Sequence, residues 1–455
     1  MRPSFFKNSC LIALALSLLS GCSTAPSRSE ALPVSKEQGS ADVAFSLTDN
    51  DPWWRAFENP ELDRLVETAL SANQDLRIAT ARVVQARALL AGADAERFPQ
   101  VGLSAGMRRG RESSAFPKAD LAHAGFRANW ELDYLGEKTL GATAAQLDAD
   151  AAVLTRKASR ISIAAEVATA YFDIGVSLQR EAAAARALDI LARQIVVAQR
   201  RFHAGQSAEV DATRLRGEFA QEEAELKQMK GLREVKQRQL ALLLGADDLP
   251  ANITFAAGAR TPAMDMPSLI SMDLLERRPD VQRQASAVEA AAARLGIAKR
   301  DIYPRIQLDW SGRKERLSQG ASASPVVTIG YGISLSMPIF DGGRIRANIA
   351  VHESRVQESM AEYEKAMLSA LADADVAVKR FRSARESSVS LVQMEIASDQ
   401  AARQIVRMFD AGLVDINTLL DTQRRAMKSK DALLQGNGAQ WDAAVAVRRA
   451  FAGSV

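Results

Sequence analysis

Three histidines and two carboxylates are the residues whose types suit metal binding or acid–base chemistry. His123, His203 and His352 lie far apart in the sequence, and none has a cysteine or carboxylate at the spacing of a metal site. Glu166 and Asp173 could serve as a general acid and base, yet two carboxylates on a heavily charged helix are typical of a solvated face. We therefore predict no catalytic residue, no metal site and no cofactor.

A nucleotide-binding loop is not indicated either. Gly330 and Gly332 lie in a segment that alternates like a strand, and no Lys-Ser or Lys-Thr pair follows them as in a phosphate-binding loop. An enzyme would need a constellation of residues that the pattern does not show, so we predict a protein that is not an enzyme.

The first 21 residues have the pattern of a secretion signal. Arg2 and Lys7 precede an apolar run, which ends in small residues before Cys22 and is too short to span a membrane. Removal of this signal takes Cys10 with it, so we expect no disulfide within the chain. Removal also lowers the formal net charge from +3 to +1, a balance that gives no electrostatic footprint for nucleic acid.

The remaining sequence repeats itself at an offset of 205 to 207 residues. The matching anchors are Asn73–Leu76 with Arg278–Val281, Phe98-Pro99 with Tyr303-Pro304, and Arg201–Gly205 with Met408–Gly412. Because the anchors keep their order and nearly their spacing, we predict a duplicated chain. The predicted organisation is a signal at 1–21, a tether at 22–50, a first repeat at 51–260 and a second repeat at 261–455.

Each repeat contains two segments that alternate between apolar and polar residues. They predict strands at about 100–109, 124–133, 305–312 and 326–337. One apolar and one polar face over about 9–11 residues suits a transmembrane β-strand, and it also suits a soluble hairpin with one buried face. The links at 109–125 and 312–325 are rich in Ser, Gly, Pro and charge and are predicted to be solvent loops.

Two proline-free stretches predict helices of unusual length. Thr139–Phe202 and Arg344–Asp410 contain no proline, and each would extend roughly 100 Å at about 1.5 Å per residue. Leu140 begins a heptad of small and aliphatic residues, which indicates a coiled-coil-like partner along the helix. Turns near Gly205 and Gly412 are expected to join each long helix to a return helix. Two shorter helices match each long one in length, 73–97 with 207–244 and 280–303 with 413–450.

Several further motifs carry a resemblance to a known family. They are Leu19–Cys22, which is similar to a bacterial lipobox, Asp51–Phe57, Pro60–Asp63, Phe98-Pro99, Tyr303-Pro304, Met337–Arg344 and Leu419–Arg424. Together with the duplicated layout, they resemble the TolC family of outer-membrane efflux proteins, and within it the OprM-like lipoprotein branch. The resemblance covers essentially the whole chain after the signal.

The resemblance implies a mainly α-helical fold with a contribution to a transmembrane β-barrel. Three chains would form one barrel of twelve strands on a periplasmic barrel of twelve helices. Four strands are too few to close a barrel, but a dimer would satisfy the strand count as well as a trimer, so the number three comes from the family alone. The resemblance also implies lipidation at Cys22 and contact with outer-membrane lipid in a Gram-negative bacterium, with a large periplasmic portion.

The same resemblance implies roles for residues at and beyond the two tip turns. An adaptor would contact the turns through Arg201, Phe202, Gly205, Phe409 and Gly412. The periplasmic gate would consist of Asp421, Arg424, Asp211 and Asn417. Asp421 and Arg424 are also spaced for a simple ion pair on the surface of one helix, which remains an alternative.

We therefore predict the passive exit duct of a tripartite efflux pump. Its homotrimer would receive drugs or other small toxic compounds from a periplasmic adaptor (membrane fusion) protein and an inner-membrane RND-type transporter. Two alternatives stay open. One is a duct of the same kind for type I protein secretion, and the other is a periplasmic coiled-coil scaffold lipoprotein that inserts no strands into a membrane.

Overall fold

The structure, a computed structural model, describes residues 52–110, 119–250, 253–255, 272–319 and 322–451. The predicted signal peptide, Cys22 and the predicted tether lie outside these ranges.

The described chain passes through one order of elements twice. The first half comprises a 3-10 helix at Trp53–Phe57, helices α1 (Pro60–Ala72) and α2 (Gln74–Ala95), strands β1 (Gln100–Gly110) and β2 (Ala119–Glu131), and helices α3 (Glu137–His203) and α4 (Glu209–Leu243). The second half comprises helices α5 (Met272–Glu276) and α6 (Pro279–Arg300), strands β3 (Arg305–Gln319) and β4 (Ser322–Ser336), and helices α7 (Arg344–Asp410) and α8 (Ile416–Phe451). Each half therefore holds two short helices, two strands, one helix of 67 residues and one return helix.

The four strands form one antiparallel sheet in the order β1-β2-β3-β4. The register is unbroken along all three pairs, so most of the apolar residues of the four strands fall on one face. Eight of its large apolar side chains are 65–87% exposed, namely Val101, Leu103, Met107, Val327, Ile329, Tyr331, Ile333 and Leu335. A bare apolar surface of this extent indicates a site of contact with lipid or with another chain.

The strands extend further than the sequence pattern predicts. β2 begins at Ala119 and β3 ends at Gln319, so much of the two segments predicted to be solvent loops is paired strand. The prediction was wrong there because interstrand hydrogen bonding continues beyond the apolar stretch. In β3, Arg313 and Lys314 lie opposite Thr328 and Val327 although both are charged.

Both long helices leave the sheet through the same type of cap. Asp133 accepts hydrogen bonds from the backbone amides of Lys138 and Thr139, each at 2.8 Å, at the start of α3. Asp341 accepts a bond of 2.8 Å from the amide of Ile345 at the start of α7. These carboxylates satisfy amide groups that the first helical turn leaves unbonded.

The helices form a wall in which short helices are joined end to end beside a long one. Helix α3 packs against α2 and α4 on one side and against α6 and α8 on the other, and α7 packs against α6 and α8. Buried Asn73 caps α2 by accepting from the amides of Asp75 and Leu76, and it donates a 3.0 Å bond to the carbonyl of Leu243 at the end of α4. One side chain therefore couples α4 to α2 at their junction.

A belt of aromatic rings fastens the first described residues to the middle of this wall. The rings of Phe172 on α3 and Trp441 on α8 stack with their centroids 4.1 Å apart, and Phe57 makes edge contacts with both. Next to them, the hydroxyl of Tyr171 donates to the carbonyl of Thr254 at 3.1 Å. We refer to Phe57, Tyr171, Phe172 and Trp441 as the belt cluster.

Candidate functional site at the helical tips

A glycine closes each tip turn. Gly205 has φ +71° and Gly412 has φ +75°, a left-handed conformation that other residues adopt at a cost. The amide that follows each glycine bonds back to the carbonyl five residues earlier, at 2.8 and 2.9 Å, which ends the long helix. The chain thereby reverses into α4 in the first repeat and into α8 in the second.

The two tips pack together through one apolar core. Helices α3, α4 and α8 supply its buried members, and α7 adds partly buried side chains. The buried members are Leu191, Ala198, Ala212, Leu215, Ile416, Leu419 and Leu420. The two helical hairpins therefore form a single tip unit within one chain.

Arg201 joins the first turn to the second. Its guanidinium lies 4.5 Å from the ring centroid of Phe409 and also donates to the Phe409 carbonyl at 3.4 and 3.5 Å. Phe202, Gly205 and Gly412 are exposed at the surface of the tip. Of the five residues predicted to contact an adaptor, the structure thus pairs two with each other and leaves three open to solvent.

Arg424 and Asn417, two of the predicted gate residues, bind across to the other hairpin. Arg424 on α8 forms an ion pair with Glu218 on α4, and Asn417 accepts a hydrogen bond from Arg214. Both bonds join α4 to α8 without involving the tip core. Because they tie the two return helices together, they hold the tip hairpins in one arrangement.

The alternative prediction of a simple ion pair between Asp421 and Arg424 is wrong. Asp421 pairs instead with Arg425, one helical turn away at 2.8 Å, and both side chains are largely exposed. Asp211 lies half-buried in the first turn of α4, and no ion pair to it is seen among the described residues. The helical geometry of α8 explains these pairs. Arg424 points toward α4, whereas Asp421 and Arg425, one turn apart, lie on the open side of the helix.

Sequence reasoning missed Arg214 and Glu218. With Asp211 they form a stripe at helical spacing along α4, which a search for charges on both return helices would have found. One turn further, burial and the carboxylates of Glu225 and Glu218 raise the pKa of Glu222. The positive charge of Arg424 opposes this effect, so α8 supplies the cation that this acidic face of α4 needs.

A second charged site lies along the middle of α3, and its lining includes the chain neighbours of belt-cluster residues. It is a groove of about 920 Å³ lined by α3, α4, α6, α7 and α8. Glu166 and Asp173 both line it, but Asp173 is ion-paired to Lys236 at 2.9 Å, which is not the arrangement of a general acid and base. The surrounding walls and the Asp173 carboxylate raise the pKa of Asp442 to about 6, and Lys236 opposes the shift.

We expect Asp442→Asn to raise the thermal stability of the protein at pH 7.5 and to change it little at pH 4. A carboxyl whose pKa is raised from 3.8 to about 6 favours folding below its unfolded pKa, and that contribution is lost as the pH rises through about 6. Thermal unfolding of both proteins at the two pH values measures the effect. Asp247→Asn, on the exposed segment after α4, is the control, and an equal gain for Asp442→Asn at both pH values would contradict the prediction.

Other chemistry-bearing residues stay scattered. No group of three His, Cys, Asp or Glu side chains in the described ranges is placed to hold a metal ion. Gly102–Gly106 has the letters of the Gly-x-Ser-x-Gly nucleophile turn, but Ser104 lies within β1 opposite Gly125. That turn requires a sharp junction between a strand and a helix, so Ser104 does not occupy one.

Comparison with known proteins agrees with the duplicated architecture. The model of a family described as outer membrane efflux protein matches residues 65–246 and again residues 270–453. The pyoverdine export outer membrane protein OpmQ of Pseudomonas putida is 29% identical, over 98% of this chain and 97% of its own length. The probable outer membrane lipoprotein SilC of Salmonella typhimurium is 26% identical, over 94% of this chain and 95% of its own. A solved structure of the outer-membrane channel OprN superposes with a TM-score of 0.78 at 28% identity, covering 88% of this chain and 92% of that one.

Proposed function

We propose, from the premise that this chain belongs to the outer membrane efflux protein family, that it is the passive exit duct of a tripartite efflux pump. Three copies assemble, and drugs or other small toxic compounds pass through the tunnel to the exterior. The observation that carries the proposal is the combination of an open apolar sheet face at one end of the long helices with two packed hairpin turns at the other.

The open sheet supports assembly of the barrel from several copies. β1 and β4 are edge strands within one chain, and lipid offers no hydrogen bonds to an unpaired strand edge. Three copies supply twelve strands, which is enough for closure since barrels begin at about eight. The apolar face then contacts outer-membrane lipid, and the long helices extend into the periplasm.

Lipidation of Cys22 is part of the proposal. The lipobox-like motif before it supports this, as does the similarity to a protein described as a probable outer membrane lipoprotein. One acyl chain gives only reversible membrane binding, whereas several chains on one cysteine hold a protein firmly. Mass spectrometry of the mature protein should show an N-terminal acylated Cys22, and an unmodified N-terminus would end this part of the proposal.

The gate lies where the two return helices are tied together. Arg214 with Asn417 and Glu218 with Arg424 keep the hairpins of one copy closed against each other. Asp211 lies on the same stripe of α4 but takes no part in these bonds, and Asp421 is exposed on the open side of α8. We propose that both carboxylates contact the neighbouring copy. Charge-assisted bonds suit a gate, because a docking partner can replace them with bonds of its own.

The exposed tip is the proposed contact for the periplasmic adaptor protein. Phe202, Gly205 and Gly412 lie at its surface, and the Arg201–Phe409 contact holds the two turns in a fixed relation. The adaptor in turn connects the duct to an inner-membrane RND-type transporter, which supplies the energy.

Deletion of the gene tests this function against its alternatives. For an efflux duct, cells without the chain should accumulate small fluorescent and toxic compounds while their secreted proteins stay unchanged, and the intact gene should restore export. Loss of a secreted protein with normal accumulation would favour a type I secretion duct. No change in either would favour a scaffold lipoprotein.

A further inference from the structure

Two cations lie on the apolar face of the sheet, near its end furthest from the helices. Lys314 and Arg316 have the same parity along β3 as Trp310, so their side chains leave the sheet on the apolar side. In the register, Lys314 lies opposite Ala124 and Val327, and Arg316 lies opposite Ala122 and Pro325. Small or apolar neighbours therefore surround both cations.

Charged residues on the opposite face of the sheet form an ion pair, unlike Lys314 and Arg316 among the described residues. There Arg313 pairs with Glu315 at 2.7 Å. Within the part of the chain that the structure describes, Lys314 and Arg316 form no ion pair, and both side chains are exposed. Arg109 on β1 has the same parity, but it lies opposite Asp120 in the register and is not part of the site.

The height of these cations in the sheet is informative. Lys314 and Arg316 are the tenth and twelfth residues of β3, counted from the helical end. A tilted strand crosses the hydrocarbon core of a bilayer in about 9–11 residues. The two side chains therefore lie where hydrocarbon gives way to lipid headgroups.

We propose that Lys314 and Arg316 form a binding site for the phosphate groups of a phosphorylated lipid in the outer leaflet. The apolar face below them, with Val327, Ile329 and Tyr331, receives the acyl chains of the same molecule. This match of two cations to a continuous apolar surface selects a lipid over free phosphate, which would gain nothing from that surface. The site rests on the proposed function, because it requires the sheet to lie in the outer membrane with the tips in the periplasm.

Native mass spectrometry of the purified, detergent-solubilised protein tests the site. The probes are bisphosphorylated lipid A, the same glycolipid without phosphates, and inorganic pyrophosphate as a competitor. Lys314→Ala with Arg316→Ala should weaken binding of the phosphorylated glycolipid by about 30-fold. Arg108→Ala with Arg127→Ala removes the same charge from the polar face and should leave binding unchanged.

Three results would overturn the proposal. They are equal binding by the wild type and the Lys314 and Arg316 variant, an equal loss in the Arg108 and Arg127 control, and full displacement of the glycolipid by pyrophosphate. The readout is lipid binding by isolated protein, whereas the proposed function is tested by export from cells. A failure of one is therefore distinguishable from a failure of the other.

Discussion

Replacing both Arg214 and Arg424 with alanine should raise the single-channel conductance of the assembled duct about tenfold in planar bilayers, with no loss of assembly. Each substitution removes one of the two bonds that tie α4 to α8. Loss of Arg424 also leaves the carboxylates of Glu218 and Glu222 without the cation that offsets them. Repulsion and lost bonding then act together to favour separation of the hairpins.

The magnitude follows from the number of contacts. A partly exposed pair contributes about 0.5–1 kcal/mol, so six pairs in three copies supply a few kcal/mol. A change of about 1.4 kcal/mol in the balance between closed and open forms already shifts their ratio tenfold. A tenfold rise in conductance is therefore expected even when the two substitutions remove only part of this energy.

A charge-matched variant separates the gate from general effects of lost arginines. Arg193 and Arg403 form ion pairs one turn apart on α3 and α7, each within its own helix. Arg193→Ala with Arg403→Ala should leave the conductance at the wild-type level. A tie-deficient variant that assembles correctly and conducts like the wild type would contradict the gate.

Trp441→Ala should lower the free energy of unfolding by about 3–5 kcal/mol, the largest stability effect that we expect from a single substitution. The indole stacks on Phe172 and borders Phe57, and all three rings are at least nine-tenths buried. Truncation leaves a cavity between α3, α8 and the 3-10 helix that rigid neighbours cannot fill. Chemical denaturation in detergent, monitored by circular dichroism rather than by fluorescence, measures the change in the free energy of unfolding.

Phe340→Ala is the matched aromatic control for this substitution. Phe340 lies between β4 and α7 and is 92% exposed, so its truncation should change the unfolding free energy by less than about 0.5 kcal/mol. Equal losses in the two variants would show that the belt cluster does not stabilise the wall.

The helices were predictable because their signals are local. The absence of proline over Thr139–Phe202 and Arg344–Asp410 predicts helices close to the observed Glu137–His203 and Arg344–Asp410. Glycine at each tip likewise predicts a turn from its own conformational preference. The prediction of the outer strand ends was wrong for the opposite reason. Pairing with the neighbouring strand continues there, although the side chains no longer alternate between apolar and polar.

The partners at the tips depend on how the hairpins meet, and no local pattern gives that. Asp421 and Arg424 are correctly spaced for each other, but α4 presents Glu218 to Arg424, and Asp421 is left to Arg425. The pKa of Asp442 depends in the same way on Asp173 and Lys236, which reach the groove from two other helices. Such residues can be nominated from the sequence by charge and position, but their pairing is a property of the packed wall.

The mass of the mature protein in mild detergent tests the shared barrel most directly. Light scattering that separates the protein mass from the bound detergent should give three chains and no folded monomer. A lone chain would leave the edges of β1 and β4 unpaired in an apolar medium, which is strongly unfavourable. A monodisperse monomer that keeps its β-strand signal would contradict the assembly and with it the proposed duct.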